Sequence, residues 1–287
     1  MTALSGASAR QARRIQRYYR WLDGIRFFQD RRAEGEAAHP VHRPLADPDG
    51  GPPSPLVIHR LMLEGVSLPE RFRALDAGCG YGATMLDLAP KLGGDWTGLT
   101  LSPEQQRRGM AAIAAAGLAD RARIELRSYD APLPGRFHLI YGIESLIHSA
   151  DPAATIRHLA AALEPGGFLV VVDDMPLAAM PDEARARLDG FRRFWRCPVA
   201  PTRAGWRAAL EGAGLAVVNE RDLNPLLRVR GMAEAAPRLA QLGWRQRLLG
   251  PLGLAVRVEA EIGGILLETL QTDGFVEYRV MAARKPG

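Results

Sequence analysis

The sequence predicts an α/β fold with a mostly parallel sheet, and three observations carry the prediction. From residue 72 onward short apolar segments alternate with amphipathic ones, the pattern of a parallel sheet covered by helices on both faces. The first apolar segment runs into Gly78-Cys79-Gly80-Tyr81-Gly82 and then a helix-like stretch, Ala83 to Leu92. A strand, a glycine turn and a helix in that order form a docking place for a phosphate- or nucleoside-sized ligand. Finally, 287 residues that are 47% hydrophobic can bury one large core and still carry insertions. The expected architecture is Rossmann-like: a seven-stranded, mostly parallel sheet with an N-terminal helical cap and helical lid insertions.

Taken in order, residues 8–32 read as a helix, because Ile15, Tyr18, Tyr19, Leu22 and Ile25 share one face and arginines fill the other. A Pro- and Gly-rich loop covers 35–55 and a second helix about 55–65, so the cap is residues 1–66 and the core 67–287. Strands are expected near 72–77, 95–101, 122–127, 137–143 and 166–173. A helix over 151–164 opens at Asp151-Pro152, an N-cap followed by Pro at the first helical position, and stops at Glu164-Pro165-Gly166-Gly167. The alternation then breaks for a helical insertion at about 176–200. It resumes with a helix at 202–213 and a strand at 215–220. A second helical insertion covers about 223–270, and Phe275 to Ala283 form a last strand.

The bulk numbers narrow the function classes. The net charge of +5 rests on arginine, since Lys91 and Lys285 are the only lysines. Without a known motif or aromatics interleaved among the arginines, it does not point to nucleic acid. Cys79 and Cys197 form no CxxC spacing and read as reduced thiols of a cytoplasmic protein. The arginine-rich N-terminus has no apolar segment behind it, so it does not read as a signal peptide. No apolar run approaches the roughly 18 residues of a membrane span. The expected partner is a small-molecule substrate, with a homo-oligomer left open. His39 and His42 lack the nearby Cys or acids that a metal site needs, so no metal is expected there.

The glycine spacing is G-x-G-x-G, whereas a dinucleotide fingerprint wants G-x-G-x-x-G and an acid ending the second strand. The octet Leu75 to Gly82 instead resembles motif I of the class I S-adenosylmethionine-dependent methyltransferases. The resemblance implies that Asp76, Gly78, Cys79 and Gly80 surround the methionine part of that cofactor. The second strand ends in Gly98-Leu99-Thr100-Leu101-Ser102-Pro103-Glu104-Gln105, with no acid for the ribose. This stretch is similar to the G-x-T-L-S-x-x-Q pattern of the branch that holds cyclopropane-fatty-acid-synthase-like and tocopherol methyltransferases. There Thr100, Leu101 and Gln105 would contact ribose and adenosine; read alone, Ser102-Pro103 is also simply a helix start. In the same family an acid after the third strand accepts from the adenine amino group. Asp130, beside Tyr129, holds that position, although it could merely open the turn at Ala131-Pro132.

The fourth strand runs through Ile143, at the cofactor's edge, into Glu144-Ser145-Leu146-Ile147-His148. A Glu and a His four residues apart fall where methyl donor and acceptor would meet, and the segment resembles the E-S-x-x-H of small-molecule methyltransferases. Glu144 could take a proton or stabilise a developing cation, and His148 could act as a general base. Tyr18 and Tyr19 resemble an aromatic pair that closes over the cofactor, while periodicity alone makes them core residues of an amphipathic helix. In the first lid insertion Phe191, Phe194 and Trp195 suit an apolar substrate, and Arg192 and Arg196 could clamp an anionic group. Terpenoid C-methyltransferases of this branch combine a glutamate after the fourth strand with lid aromatics. The favoured expectation is therefore C-methylation of an isoprenoid, a prenyl diphosphate among the candidates, with Mg only in that diphosphate case. The alternatives are O- or N-methylation of a natural product with His148 as base, and, from another class, an NAD-dependent dehydrogenase.

Overall fold

The computed structural model describes residues 6–24, 42–133 and 135–287. Seven strands form one sheet: β1 (Arg73–Ala77), β2 (Asp95–Thr100), β3 (Ala122–Leu126), β4 (Phe137–Ile143), β5 (Leu163–Pro176), β6 (Ala216–Asp222) and β7 (Val276–Arg284). Their order across the sheet is β3-β2-β1-β4-β5-β7-β6. β1 to β5 pair in parallel, and β7 runs antiparallel between β5 and β6. The strand order reverses between β1 and β4, so their carboxyl ends flank the crevice where open α/β sheets bind ligands. β1, β4 and the second half of β5 are buried almost without interruption, as strands covered on both faces must be.

Two apolar layers do the covering. On one face α3 (Ala83–Leu92) and α4 (Pro103–Ala115) pack Leu88, Ala89 and Ile113 onto Trp96, Leu139 and Val170, joined by α2 (Val57–Leu61). On the other, α5 (Pro152–Ala161) and α7 (Arg203–Gly212) pack Ile156, Leu159, Trp206 and Leu210 onto Leu75, Ile140 and Val171. The helix starts follow the sequence: Ser102 Oγ accepts from Gln105 N, Asp151 Oδ1 from Ala154 N and Thr202 Oγ1 from Gly205 N.

The remaining helices lie over the carboxyl edge of the sheet. α1 (Gly6–Gly24) meets α9 (Val256–Thr272) through Tyr18, Leu22 and Ala260. α6 (Asp182–Trp195) packs on α9 through Ala184, Leu188, Phe191, Leu267 and Leu270, and α8 (Met232–Leu249) through Ala235, Leu242, Ile262 and Ile265. The second insertion is thus a helical hairpin, α8 and α9, whose second member supports both the cap and the first insertion.

Three details differ from the sequence reading. Of the helix expected over 8–32 the structure shows Gly6–Gly24; residues 25–32, Ile25 among them, and His39 lie outside the described residues. β5 already starts at Leu163, opposite Phe137, with a register shift between Phe137 and Leu139. Gly166 N donates to Lys285 O there, so Glu164 to Gly167 form an irregular strand entry instead of a helix stop and turn. The second helix, expected at about 55–65, is shorter, Val57–Leu61.

Candidate active site

The β1–α3 turn is built from left-handed backbone: Gly78, Gly80 and Gly82 have φ of 99°, 54° and 79°. At Gly78 a Cβ would lie 2.5 Å from the Ser145 Cβ, so only glycine lets β1 and β4 approach here. Gly78 N and Cys79 N both donate to Leu99 O, at 3.1 and 2.9 Å, which ties the turn to β2. Asp76 ends the strand beneath, 4% exposed, and accepts at Oδ2 from the Tyr141 hydroxyl at 3.0 Å. Burial pushes its carboxyl up to about 7, with the Tyr141 bond opposing.

Around this turn opens a cleft of about 1160 Å3, a volume that includes the solvent-open space at its mouth. Asp76, Gly78, Cys79, Gly80, Thr100, Leu101, Gln105, Tyr129 and Ile143 line it from the sheet side, and Tyr18 and Tyr19 from α1. Thr100 Oγ1 donates to Gln105 Oε1 at 2.7 Å, so the two side chains form one polar wall. Tyr129 Oη donates to Ser145 O, which sets its ring against the glycine turn. Asp130 does not reach this wall. Its Oδ1 accepts from Thr155 Oγ1 at 2.6 Å at the start of α5, because the chain bends away after Tyr129. Asp130, of which an adenine contact is expected, is thus not among the residues that line the cavity.

Glu144 follows β4 with φ 50°, a left-handed conformation that costs a residue other than glycine about 1 kcal/mol or more. Its N–H donates to Val172 O at 2.8 Å, and the strain turns its carboxylate into the cavity. Oε1 accepts from Arg43 Nε at 3.0 Å. The other edge of that guanidinium donates to both Asp174 oxygens, at 3.3 and 2.8 Å, and its Cζ lies 4.6 Å from the Tyr278 ring centroid. Gln271 Nε2 donates to the same Asp174 at 2.7 Å. Burial raises the Asp174 carboxyl, against the pull of Arg43. Arg43 had no motif to mark it on sequence. Asp173-Asp174 did carry a signal, two acids ending an otherwise apolar strand.

His148 is buried at the end of a short 3-10 turn, with Nε2 3.3 Å from Tyr19 Oη and Nδ1 3.7 Å from Cys197 Sγ. Burial lowers it to about 4, so at neutral pH it is an uncharged imidazole facing the cavity. Gln11 Nε2 donates to the carbonyls of His148 and Arg196, at 3.0 and 2.7 Å, and so joins α1, the β4 loop and the end of α6.

Of the lid residues expected around a substrate, Trp195 lines the cavity, its indole N–H donating to Ala260 O at 2.9 Å. Four do not. Phe191 is interior to the α6–α9 packing, and Phe194 packs against α8 and α9. Arg192 donates to Pro198 O and Asp189, while Arg196 pairs with Glu259 at 2.7 Å over the Tyr18 ring. The apolar stripe of α6 faces α9, while Asp189 and Pro198 O hold Arg192 and Glu259 holds Arg196.

Two features were not foreseen. Asp23, near the end of α1, accepts from Tyr81 Oη at 2.7 Å and Ser102 Oγ at 2.6 Å, pinning the cap to the glycine turn and to α4. His42 Nε2 lies 3.0 Å from His59 Nε2, and His59 Nδ1 lies 2.8 Å from Asp87 Oδ2, so a chain of polar side chains runs inward from the cavity wall.

The glycine turn at a switch point, a buried acid beneath it and a polar wall on β2 are the parts of a nucleoside site. A family profile described as "Methyltransferase domain" matches residues 13–228. The chain belongs to that family. It is a class I S-adenosylmethionine-dependent methyltransferase domain of the small-molecule kind, and the dehydrogenase alternative is set aside. Among its relatives, Methyltransferase GfsG of Streptomyces halstedii is 30% identical over 181 residues, 60% of this chain and 63% of the relative. Tocopherol O-methyltransferase of Arabidopsis thaliana is 35% identical over 102 residues, 35% of this chain and 29% of the relative. The matched region thus spans less than two thirds of either relative. Geranyl diphosphate C-methyltransferase of Streptomyces coelicolor A3(2) superposes with a TM-score of 0.68 at 16% identity, over 96% of this chain and 98% of that one. That likeness is one of fold.

The methyltransferase's residues fit the cofactor. Asp76 has one oxygen bonded to Tyr141 and a carboxyl raised by burial, and an ammonium group beside it would supply the missing counter-charge. The glycine turn would admit the methionine chain against bare backbone, and Thr100, Leu101 and Gln105 stand where the nucleoside would lie. Among the described residues no group of His, Cys, Asp and Glu is arranged to hold a metal, and no helix is long and apolar enough to span a membrane.

Proposed function

We propose that this methyltransferase methylates carbon in a small, largely apolar acceptor, an isoprenoid being the favoured class. The observation that carries the reading is the composition of the cavity's far end. Tyr18, Tyr19 and Trp195 bring aromatic rings to the same space as the Glu144 carboxylate, beside the cofactor wall. S-adenosylmethionine, when bound, supplies a methyl group on a sulfonium. The aromatic wall orients the acceptor's double bond and excludes water, the main needs of an in-line transfer. As the new C–C bond forms, positive charge develops on the acceptor. Ring faces and the Glu144 anion stabilise it. The adjacent carbon then loses a proton to Glu144, restoring a double bond, while Arg43 holds the carboxylate in place.

The diphosphate version of this reading has little support, because Arg192 and Arg196 are engaged elsewhere. Magnesium would enter only with such a substrate. A second reading, methylation of a hydroxyl or amine, rests on one observation: His148 is neutral and lines the cavity beside Tyr19. The Arabidopsis thaliana relative, a tocopherol O-methyltransferase, is compatible with it.

The experiment is mass spectrometry of products from methyl-labelled cofactor with prenyl alcohols, prenyl diphosphates, phenols and amines. The label in a C–CH3 group supports the first reading, and the label on oxygen or nitrogen replaces it with the second. Stabilisation by NAD but not by S-adenosylhomocysteine in a thermal shift would overturn both.

A further inference from the structure

The four most exposed large apolar side chains of the described residues fall within eleven consecutive positions. Trp244, Leu248, Leu252 and Leu254 are 57%, 63%, 68% and 54% exposed. Trp244 and Leu248 stand one turn apart on the last turns of α8, on the same side of the helix. A short 3-10 turn, Gly250–Leu252, and a left-handed Gly253 then carry Leu252 and Leu254 around the corner into α9. The corner is closed by Leu254 N donating to Leu249 O at 3.1 Å, so it is a formed turn with its leucines outside. A folded chain ordinarily leaves such residues scattered, and a cluster of them marks a contact surface.

Charge says what the contact is with. Arg245, Arg247 and Arg257 flank the cluster, and no Asp or Glu occurs from residue 235 to 258. The next acids along α9, Glu259 and Glu261, are already paired with Arg196 and Arg238. Apolar side chains with Trp among them, ringed by arginine, match an anionic lipid surface. A second copy matches poorly: a two-fold contact would set arginine against arginine, on a chain whose net charge is +5.

We propose that the α8–α9 corner is a peripheral membrane-docking tip, inserting Trp244, Leu248, Leu252 and Leu254 among the lipids of an anionic bilayer. α9 leads from this tip to Ala260, which lines the active-site cavity. α9 starts at Val256, two positions after Leu254, and Ala260 lies about 6 Å further along the helix. Docking would therefore hold the cavity close to the bilayer surface, where an apolar acceptor accumulates. That last step rests on the function proposed above; the docking does not.

The test is co-sedimentation of the full chain with phosphatidylcholine vesicles, with and without phosphatidylglycerol, at low and high salt. Binding is expected to need the anionic lipid and to weaken with salt. Leu252→Asp with Leu254→Asp should lower the partition coefficient about tenfold or more, with unchanged melting temperature because both side chains are exposed. Arg245→Gln with Arg247→Gln should remove most of the salt dependence. Absence of binding to anionic vesicles, or binding unchanged in the leucine variant, overturns the proposal. So does a wild-type dimer in light scattering that the leucine variant converts to monomer, since the corner would then be a contact between copies. Failure of every acceptor in the turnover assay, with vesicle binding intact, would overturn the functional reading and leave the docking standing.

Discussion

Arg43 places Nε 3.0 Å from Glu144 Oε1 and sets the other edge of its guanidinium on Asp174. One cation thus fastens the segment entering α2 to the carboxyl ends of both β4 and β5. The carboxylate nearest the expected reaction centre is held from outside the sheet, by a residue far from any motif.

Arg43→Gln should therefore destabilise by about 3–5 kcal/mol, the usual cost of removing one partner from a largely buried charge pair. It should also change the pH dependence. Asp174 is pushed up by burial and pulled down by Arg43, so in the variant its pKa rises further. A carboxyl whose folded pKa exceeds its unfolded value of about 4 is protonated first in the folded state. Stability then falls as pH rises from that value through the folded pKa. The variant's melting temperature should drop more steeply than that of the wild type as pH rises above about 4. Parallel melting curves would refute a role for this pair.

Cofactor binding should release a proton from Asp76. Its carboxyl sits at about 7 in the ligand-free protein, and an ammonium neighbour would draw it down. Near pH 7 about half of the protein must then lose a proton on binding S-adenosylhomocysteine. Affinity should decline as pH falls below 7, towards about tenfold per unit. Calorimetry in buffers of different ionisation enthalpy measures the released proton directly. Asp76→Asn should bind more weakly at pH 8 and show no such release.

Much of the fold was legible because it rests on local signals. The glycine turn, Ser102-Pro103 and Asp151-Pro152 each fix a strand–helix junction within a few residues, whatever the rest of the chain does. Asp76, Thr100, Gln105, Glu144 and His148 were visible for the same reason, since each stands at a strand end that the alternation locates. Arg43, Asp23 and the His42–His59–Asp87 chain were not. They reach the site from the cap by contacts 17 to 131 residues apart, which no spacing within a segment encodes. The lid went astray differently. An amphipathic helix shows that it has an apolar face, but not that α9 and not a substrate covers Phe191. The Asp130 side chain is engaged by Thr155 across the loop, a contact that no spacing encodes.

His148 should make the protein acid-sensitive. Burial lowers it to about 4, and His42 shares the sign at about 3. The unfolded chain takes up a proton near 6.5, where the folded one does not, so stability is lost as pH falls below 6.5. For His148→Gln, the loss of unfolding free energy between pH 7 and 5 should be smaller by about 2 kcal/mol. Denaturant titrations at the two pH values measure it. An equal loss in both proteins would mean that His148 is charged when folded.

Glu144 and His148 divide the two proposed chemistries, and paired substitutions separate them. Glu144→Gln keeps the side chain's shape and removes its charge. It should abolish turnover while the affinity for S-adenosylhomocysteine stays within a few-fold, because on the proposed placement Asp76 and the β2 wall, not Glu144, would hold the cofactor. If the acceptor is carbon, His148→Ala should retain most of the rate, since the proton leaves towards Glu144 and a neutral imidazole of lowered pKa is a weak base. If it is a hydroxyl or amine, the order reverses: His148→Ala loses about 10²–10⁴-fold, the usual contribution of a positioned base, and Glu144→Gln the lesser amount. Wild-type rates in Glu144→Gln would remove that residue from the chemistry and leave the Arg43 pair as architecture alone.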